Sequence, residues 1–355
     1  MENWSELYRE DLETVKKNIL SVSQLYGKSF LITGATGSIG SHFVDVLIYL
    51  NEVYQYHCQL FLCGREKEKI KQRFGEKKYI SFLPYDAKKE ISFQVEVDYL
   101  IHLAGNADPK KFRESPVETA EGNLLSAVYL LRYAREFVKE KMIYISTGEV
   151  YGIGEETGEN GFAWKEEESG YMDSRCVRNA YPVSKRAAEN LCMAYFKQWN
   201  IPIVIARLSH TFGSTFQIKD SRIHAVFIKK AVEKRDIVLH TEGKQIRSYC
   251  YVSDSVSGIC SLLTKGVDGE VYNVSNMRNR VSIREFAEKI ALKAGVLVRM
   301  EREKQGEEYQ NKMNCAVLST DKLEALGWRA QFGIEEAIVR TIQILEEGNV
   351  VSRIL

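Results

Sequence analysis

The sequence predicts an α/β fold built on a doubly wound parallel sheet, with a smaller C-terminal lobe laid over the carboxyl edge of that sheet. Three observations carry this expectation. From Ser29 onward, short apolar runs alternate with amphipathic stretches, the pattern of strands joined by helices. Gly34, Gly37 and Gly40 punctuate the passage from the first apolar run to the first amphipathic stretch. Beyond Arg207 the alternation loosens into a polar stretch through Asp220. With 355 residues and 45% hydrophobic content, the chain can bury a large core.

Before the sheet begins, Trp4, Tyr8, Leu12, Val15, Ile19 and Val22 recur at helical spacing. They predict a helical extension over 1–28 that packs on the body of its own subunit, with an oligomer contact as the alternative. Residues 1–27 are polar and acidic, unlike a basic start followed by an apolar run, so a signal peptide is not expected. Phe30, Leu31, Ile32 and Thr33 form the first strand, and Phe43, Val44, Val46 and Leu47 mark the helix after Ser41. Further strands are expected at 59–63, 79–83, 99–103, 142–145 and 203–206. Residues 223–234 read as a helix. Another starts at Ser282, where Ser282 and Glu285 have the capping-box spacing ahead of Phe286, Ile290 and Leu292. This division gives a dinucleotide-binding domain over 29–207, to which 250–276 return, and a substrate-binding domain from 208–249 and 277–345. The acidic loop 154–169 is expected to be mobile and to wall the substrate cleft.

A net charge of +1 gives no electrostatic reason to expect nucleic acid or an anionic membrane as partner, which leaves a small molecule. No stretch is long and apolar enough to span a bilayer. The seven cysteines are scattered and never spaced as CxxC, which argues against a disulfide framework or structural zinc and suits a reducing, cytoplasmic setting. The histidines show no ligand spacing, so no metal is expected.

Gly34-Ala35-Thr36-Gly37-Ser38-Ile39-Gly40 lies between a strand and a helix. There, glycines let backbone amides and a helix N-terminus approach the pyrophosphate of a dinucleotide. The second strand ends in Cys63-Gly64-Arg65, without the acidic residue that binds the ribose hydroxyls of NAD. Arg65 could accept a 2'-phosphate instead, so NAD and NADP stay balanced at this position. Asp86, directly after the third strand, could accept a bond from the adenine amino group.

The reactive chemistry is written in Ser146-Thr147-Gly148-Glu149-Val150-Tyr151-Gly152 and Tyr181-Pro182-Val183-Ser184-Lys185. Tyr181 and Lys185 are four apart on a helix and share a face, so the ammonium can favour a phenolate that acts as base near neutral pH. Thr147 closes an apolar strand where its hydroxyl can bond the same substrate oxygen, and Glu149 adds a carboxylate.

With the glycine turn, Thr147, Tyr181 and Lys185 in this order, the chain resembles the extended short-chain dehydrogenase/reductases of the nucleotide-sugar epimerase/dehydratase family over about 29–328. Further matching stretches are His102-Leu103-Ala104-Gly105, Asn123, 207–213, 247–252 and 323–328. The resemblance implies a Rossmann domain, a bound NAD or NADP, a homodimer pairing helices near 123–135 and 181–199, and transient oxidation of a sugar C4 hydroxyl. It implies that Thr147 and Tyr181 hold that hydroxyl, that Lys185 also bonds the nicotinamide ribose, and that Ala104, Gly105 and Asn123 line the cofactor. Arg247 would clamp the nucleotide diphosphate and Arg222 would lie near the nucleotide or sugar acid. His210, where many relatives have Asn, would donate to a substrate oxygen.

The C4 ketone has three fates: return of hydride to the opposite face, elimination of the C6 hydroxyl, or decarboxylation. Relatives that eliminate place an Asp-Glu pair after the catalytic Thr, and this chain has Gly148-Glu149. That pair resembles UDP-glucuronate decarboxylases, which need no acid for a leaving hydroxyl. Decarboxylation is therefore expected ahead of 4-epimerisation and 4,6-dehydration. Net NADPH-dependent reduction and a non-enzymatic dinucleotide sensor are the remaining alternatives.

Overall fold

The computed structural model describes residues 4–105, 107–154, 162–217, 219–301 and 313–347. Helix α1 (Glu6–Asn18) starts at Ser5, whose hydroxyl accepts from Tyr8 N at 3.3 Å. Next come β1 (Ser29–Thr33), α2 (Ser38–Tyr54), β2 (Gln59–Gly64), α3 (Lys67–Phe74), β3 (Ile80–Pro84), β4 (Val97–His102), α4 (Pro109–Glu114), α5 (Pro116–Phe137), β5 (Val138–Thr147), α6 (Ala180–Trp199) and β6 (Ile203–Leu208). The second half contains β7 (His210–Phe212), α7 (Ile223–Val232), β8 (Ile237–Leu239), β9 (Ile246–Tyr251), α8 (Val252–Lys265), β10 (Val271–Val274), β11 (Arg280–Ser282), α9 (Ile283–Ala294), β12 (Val298–Met300), β13 (Cys315–Ala316), α10 (Asp321–Ala325) and α11 (Ile334–Glu346).

Seven strands form one parallel sheet in the order β10-β6-β5-β4-β1-β2-β3. β1 lies between β2 and β4, so strand order reverses there and a crevice opens at the carboxyl ends. Alternate residues of β1 serve opposite layers, as strand geometry requires. Phe30 and Ile32 enter the core shared with α1, α2 and α8, whereas Leu31 enters the core shared with α5 and α6. β7 and β9 pair parallel, β11 and β13 flank β9, and β8 pairs with β12, which builds smaller sheets beside the large one.

Helix α1 packs on the body of its own chain. The Tyr8 phenol donates to Asp45 at 2.7 Å, and Asp11 accepts from Arg340 at 3.0 Å and from the Tyr251 phenol. Ser282 and Glu285 form the expected capping box. The expectation of a mobile 154–169 loop is corrected where the structure describes it. Trp164 N donates to Val317 O at 2.8 Å, Ser319 N returns to Trp164 O at 2.8 Å, and Arg207 donates to Glu166 O at 2.9 Å. Trp164 is buried against Tyr151, and this apolar anchor within an acidic stretch holds 162–169 in place. Residues 155–161 lie outside the described residues. Among the described residues no helix is long and apolar enough to cross a membrane.

Candidate active site

The glycine turn after β1 is shaped by close approach. Gly34 has φ +72°, and a β-carbon on it would lie 2.5 Å from Ala104 N. One on Gly40 would lie 2.1 Å from Gly34 O, so only glycine lets α2 fold back onto the turn. Gly37 is the N-cap of this 17-residue helix, and Ser38, Ile39 and Gly40 form its first turn, with their amides directed at the crevice. Thr36 completes the turn. From the second half of the chain, Thr215 donates to Ser38 O at 2.8 Å and Gln217 Nε2 to Thr36 O at 3.0 Å. The sequence gives no sign of this strap.

Arg65 follows β2 and is exposed. Tyr85 N donates to Gly64 O at 2.9 Å, which continues the pairing of β2 and β3 up to the residues before Arg65 and Asp86. Asp86 accepts from Lys88 N at 3.0 Å. Behind β4, Ala104 N donates to Thr33 Oγ1 at 3.2 Å. The open face of Gly105 looks onto Lys185 Nζ and Asn123 Oδ1, 3.5 and 3.6 Å from where a β-carbon would stand. Asn123 donates to Ser184 Oγ at 2.9 Å, and Ser184 donates to Tyr181 O at 2.9 Å. Gly105, Asn123 and Lys185 thus converge.

Thr147 is the last residue of β5, and its Oγ1 accepts from Glu149 N at 3.3 Å. Tyr181 stands in the first turn of α6, buried, its ring stacked on Phe112 with centroids 4.3 Å apart and planes 10° from parallel. Burial and the Glu149 charge push the phenol pKa up, and the Thr147 hydroxyl and the Arg222 charge pull against them. On balance the phenol pKa is raised in the free protein.

Lys185 shares the helix face with Tyr181, and its Nζ donates to Ile145 O at 2.9 Å and lies 4.8 Å from the Tyr144 ring centroid. Burial lowers its pKa to about 8. In the free protein the ammonium is anchored to β5 by that bond, and the Arg222 charge also acts to lower the phenol pKa.

Glu149 is held by a residue the sequence reading did not single out. Arg178, in the short turn Val177–Asn179 ahead of α6, donates through Nη1 and Nη2 to the two carboxylate oxygens at 3.0 and 3.4 Å. Its position three residues before Tyr181 was the available signal. Beside Glu149, Gly148 is buried against Leu318.

Arg247 lies on β9, only 3% exposed, and its Nη1 donates to Ile246 O at 2.8 Å and Asn314 O at 3.4 Å. Among the described residues it has no ion-paired carboxylate, and burial lowers its pKa. A buried guanidinium so placed is a seat for an anion. Arg222, the N-cap of α7, is forked onto Asp220 by contacts that include 2.9 and 3.0 Å from Nε. His210 pairs with Tyr249 across β7 and β9, with ring centroids 5.9 Å apart. Burial first, and then the Arg247 charge, hold the His210 pKa well below the usual imidazole value. His224, also missed by sequence reading, is buried with both ring nitrogens unpartnered among the described residues; burial, then Arg222, lowers its pKa to about 3. The cleft therefore gathers Arg178, Arg222, Arg247 and two imidazoles around Thr147, Glu149 and Tyr181, a setting for a polyanionic substrate.

The family model described as NAD dependent epimerase/dehydratase family matches residues 30–275. The chain belongs to this family. The chain is 30% identical over 310 residues to UDP-glucuronic acid decarboxylase 6 of Arabidopsis thaliana, covering 87% of this chain and 86% of that protein. It is 29% identical over 316 residues to UDP-glucuronic acid decarboxylase 1 of Danio rerio, covering 89% and 72%. Among solved structures, the fold is shared with a UDP-glucuronic acid 4-epimerase from Bacillus cereus in complex with UDP-glucuronic acid and NAD. That match has TM-score 0.74 and 20% identity, over 90% of this chain and 99% of the other. It is also shared with a dTDP-glucose 4,6-dehydratase from Bacillus anthracis in complex with NAD, with TM-score 0.72 and 21% identity, over 90% and 97%.

The protein is thus an NAD-dependent nucleotide-sugar enzyme of the epimerase/dehydratase family. Its residues fit the dinucleotide: the cradle at Gly34 and Gly40 is one that a β-carbon would fill. Gly34, Gly37, Ser38 and Gly40 would hold the pyrophosphate, and Asn123 and Lys185 would hold the nicotinamide end. When bound, NAD accepts hydride from the sugar and gives it back.

Proposed function

We propose that this enzyme decarboxylates a nucleotide-linked uronic acid, UDP-glucuronate first, through a C4 ketone. The observation that carries the reading is Gly148-Glu149 beside Thr147, Tyr181 and Lys185, with Leu318 packed where a second acidic side chain would have to go. The decarboxylase relatives support it. Thr147 and Tyr181 hold the C4 hydroxyl, and Tyr181 takes its proton as the phenolate, the form that the positive nicotinamide would favour when NAD is bound, while C4 is oxidised. The carboxylate on C5 is then β to a ketone. The bond from C5 to the carboxyl carbon breaks, carbon dioxide leaves, and the electron pair moves into the enolate, whose oxygen Thr147 and Tyr181 stabilise by hydrogen bonding. C5 then takes a proton that enters from solvent and is relayed through the Glu149 carboxylate, and C4 is reduced back to the hydroxyl, its oxygen regaining the proton held by Tyr181. No acid for a leaving hydroxyl is needed.

Arg247 binds the diphosphate in this reading, with Arg222 and His210 beside it. The dinucleotide lies on the seven-stranded sheet and the nucleotide-sugar on segments 208–249 and 277–345. NAD is the working cofactor, with NADP admitted at the adenosine ribose by Arg65. Helices α5 and α6 pair side by side and leave Leu124 and Trp199 partly exposed, which supports a homodimer built on that face. All seven cysteines are free thiols, which supports a reducing cytoplasmic setting.

The test is incubation of purified protein with UDP-glucuronate, UDP-N-acetylglucosamine, dTDP-glucose, CDP-glucose and GDP-mannose, with products followed by NMR. Conversion of UDP-glucuronate to a UDP-pentose with release of carbon dioxide is expected. Clean dehydration of a neutral hexose overturns the reading. Light scattering on the eluting protein tests the dimer.

A further inference from the structure

Every arginine near the reactive tyrosine has a committed partner, and one of those partners is itself a proposed reactive group. Arg222 is forked onto Asp220, Arg207 onto Glu189, and Arg247 donates to two backbone carbonyls. Arg178 alone holds Glu149, through both ends of its fork, at 3.0 and 3.4 Å. The two side chains are 10% and 18% exposed, half withdrawn from water, where an ion pair is screened less than on the surface. Glu149 also acts electrostatically on both Tyr181 and Arg247, so this carboxylate is felt by the proton-transfer group and by the guanidinium assigned to the diphosphate.

We propose that Arg178 is the recognition site for the sugar carboxylate: Glu149 fills that seat in the free protein, and the C5 carboxylate of the bound uronic acid displaces it. This rests on the uronic-acid reading given above. Three physical points carry it. A second carboxylate entering beside Glu149 meets like-charge repulsion unless a cation stands between them, and the planar fork of Arg178 matches carboxylate geometry. Arg178 precedes Tyr181 by three residues in the turn that opens into α6, so a carboxylate bound to it is held at a fixed offset from the phenol that takes the C4 proton. The exchange also frees Glu149 as the substrate arrives, so that its carboxyl group becomes available for proton transfer at C5. A neutral hexose cannot displace Glu149 in this way, and the same residue therefore selects for the acid.

The experiment is isothermal titration of the full-length, NAD-loaded protein with UDP, UDP-glucose and UDP-glucuronate, in the wild type and in Arg178→Gln and Glu149→Gln. Wild type should bind UDP-glucuronate more tightly than UDP-glucose. Arg178→Gln should weaken UDP-glucuronate about tenfold or more, the scale of hydrogen bonds to charged groups, and move UDP and UDP-glucose by no more than about threefold. Glu149→Gln, which removes the competing carboxylate, should tighten UDP-glucuronate while lowering turnover. Retained discrimination in Arg178→Gln, or equal weakening of all three ligands, overturns the assignment. So does weakened UDP-glucuronate binding in Glu149→Gln. A wild type that makes no distinction between UDP-glucuronate and UDP-glucose overturns the uronic-acid reading itself, before any variant is compared.

Discussion

Leu318 occupies the space beside Gly148: its two methyl carbons lie 3.1 and 3.2 Å from the point where a β-carbon on Gly148 would stand. Leu318 is fully buried, and its neighbour Val317 accepts the Trp164 amide at 2.8 Å, so it is held from behind and has little room to give. A carboxylate at position 148 would be pressed into leucine. The chemistry open to this enzyme is thus limited by packing as well as by which groups are present.

Gly148→Asp should therefore lower stability by about 1–3 kcal/mol, through overpacking and burial of a charge, and should not create a 4,6-dehydratase. Gly148→Asp combined with Leu318→Ala should recover part of the loss, because the smaller side chain opens the space. Thermal denaturation measures the first effect, and NMR of reactions with UDP-glucose tests for a 4-keto-6-deoxy product.

Tyr181→Phe should reduce turnover by at least about 100-fold, since it removes the proton-transfer oxygen, while leaving affinity for UDP unchanged. Its ring should keep the stack on Phe112, so the thermal transition should stay in place. Steady-state kinetics and calorimetry separate the two effects, and unimpaired turnover would remove Tyr181 from its role.

Lys185 offers a test by pH. Its proton leaves at about 8 in the folded chain, against roughly 10.4 for an ordinary lysine. Between those values the folded state binds fewer protons than the unfolded state, so stability contributed by this group rises with pH across that window and is lowest below it. Lys185→Met should accordingly raise stability of the cofactor-free protein at pH 7 by about 1–2 kcal/mol. The gain should shrink toward pH 10, and activity should be lost throughout. Denaturation at pH 7 and pH 10 checks this, and a variant less stable at pH 7 would mean that the bond to Ile145 O outweighs burial of the charge.

Arg247→Met should weaken UDP about tenfold or more and leave uridine affinity unaltered, because the guanidinium meets the diphosphate. The free protein should be no less stable, since the change removes a buried cation that has no carboxylate partner among the described residues. Equal loss of UDP and uridine binding would point to a collapsed pocket.

The large sheet was legible because β1, β2, β4, β5 and β6 are short apolar runs that need only local periodicity to be seen. Thr147, Tyr181 and Lys185 were legible because their spacing carries the chemistry. What sequence spacing could not convey was how distant residues divide their partners. Arg178 and Glu149 are 29 residues apart across an acidic loop. The hydrogen bond of Lys185 goes to a backbone carbonyl 40 residues away, a partner that helix spacing does not reveal. Leu318 reaches Gly148 from far along the chain, and the unpartnered state of His224 exists only once its neighbours are packed around it.

The bonds from Thr215 to Ser38 and from Gln217 to Thr36 bear on how long the cofactor stays. They tie the turn on which a dinucleotide would lie to chain from the second half of the protein, so the cradle is braced from both sides of the sequence. In a cycle that ends with hydride restored to the sugar, nothing requires the dinucleotide to leave. One NAD molecule could then serve many sugars in succession without being consumed as a second substrate.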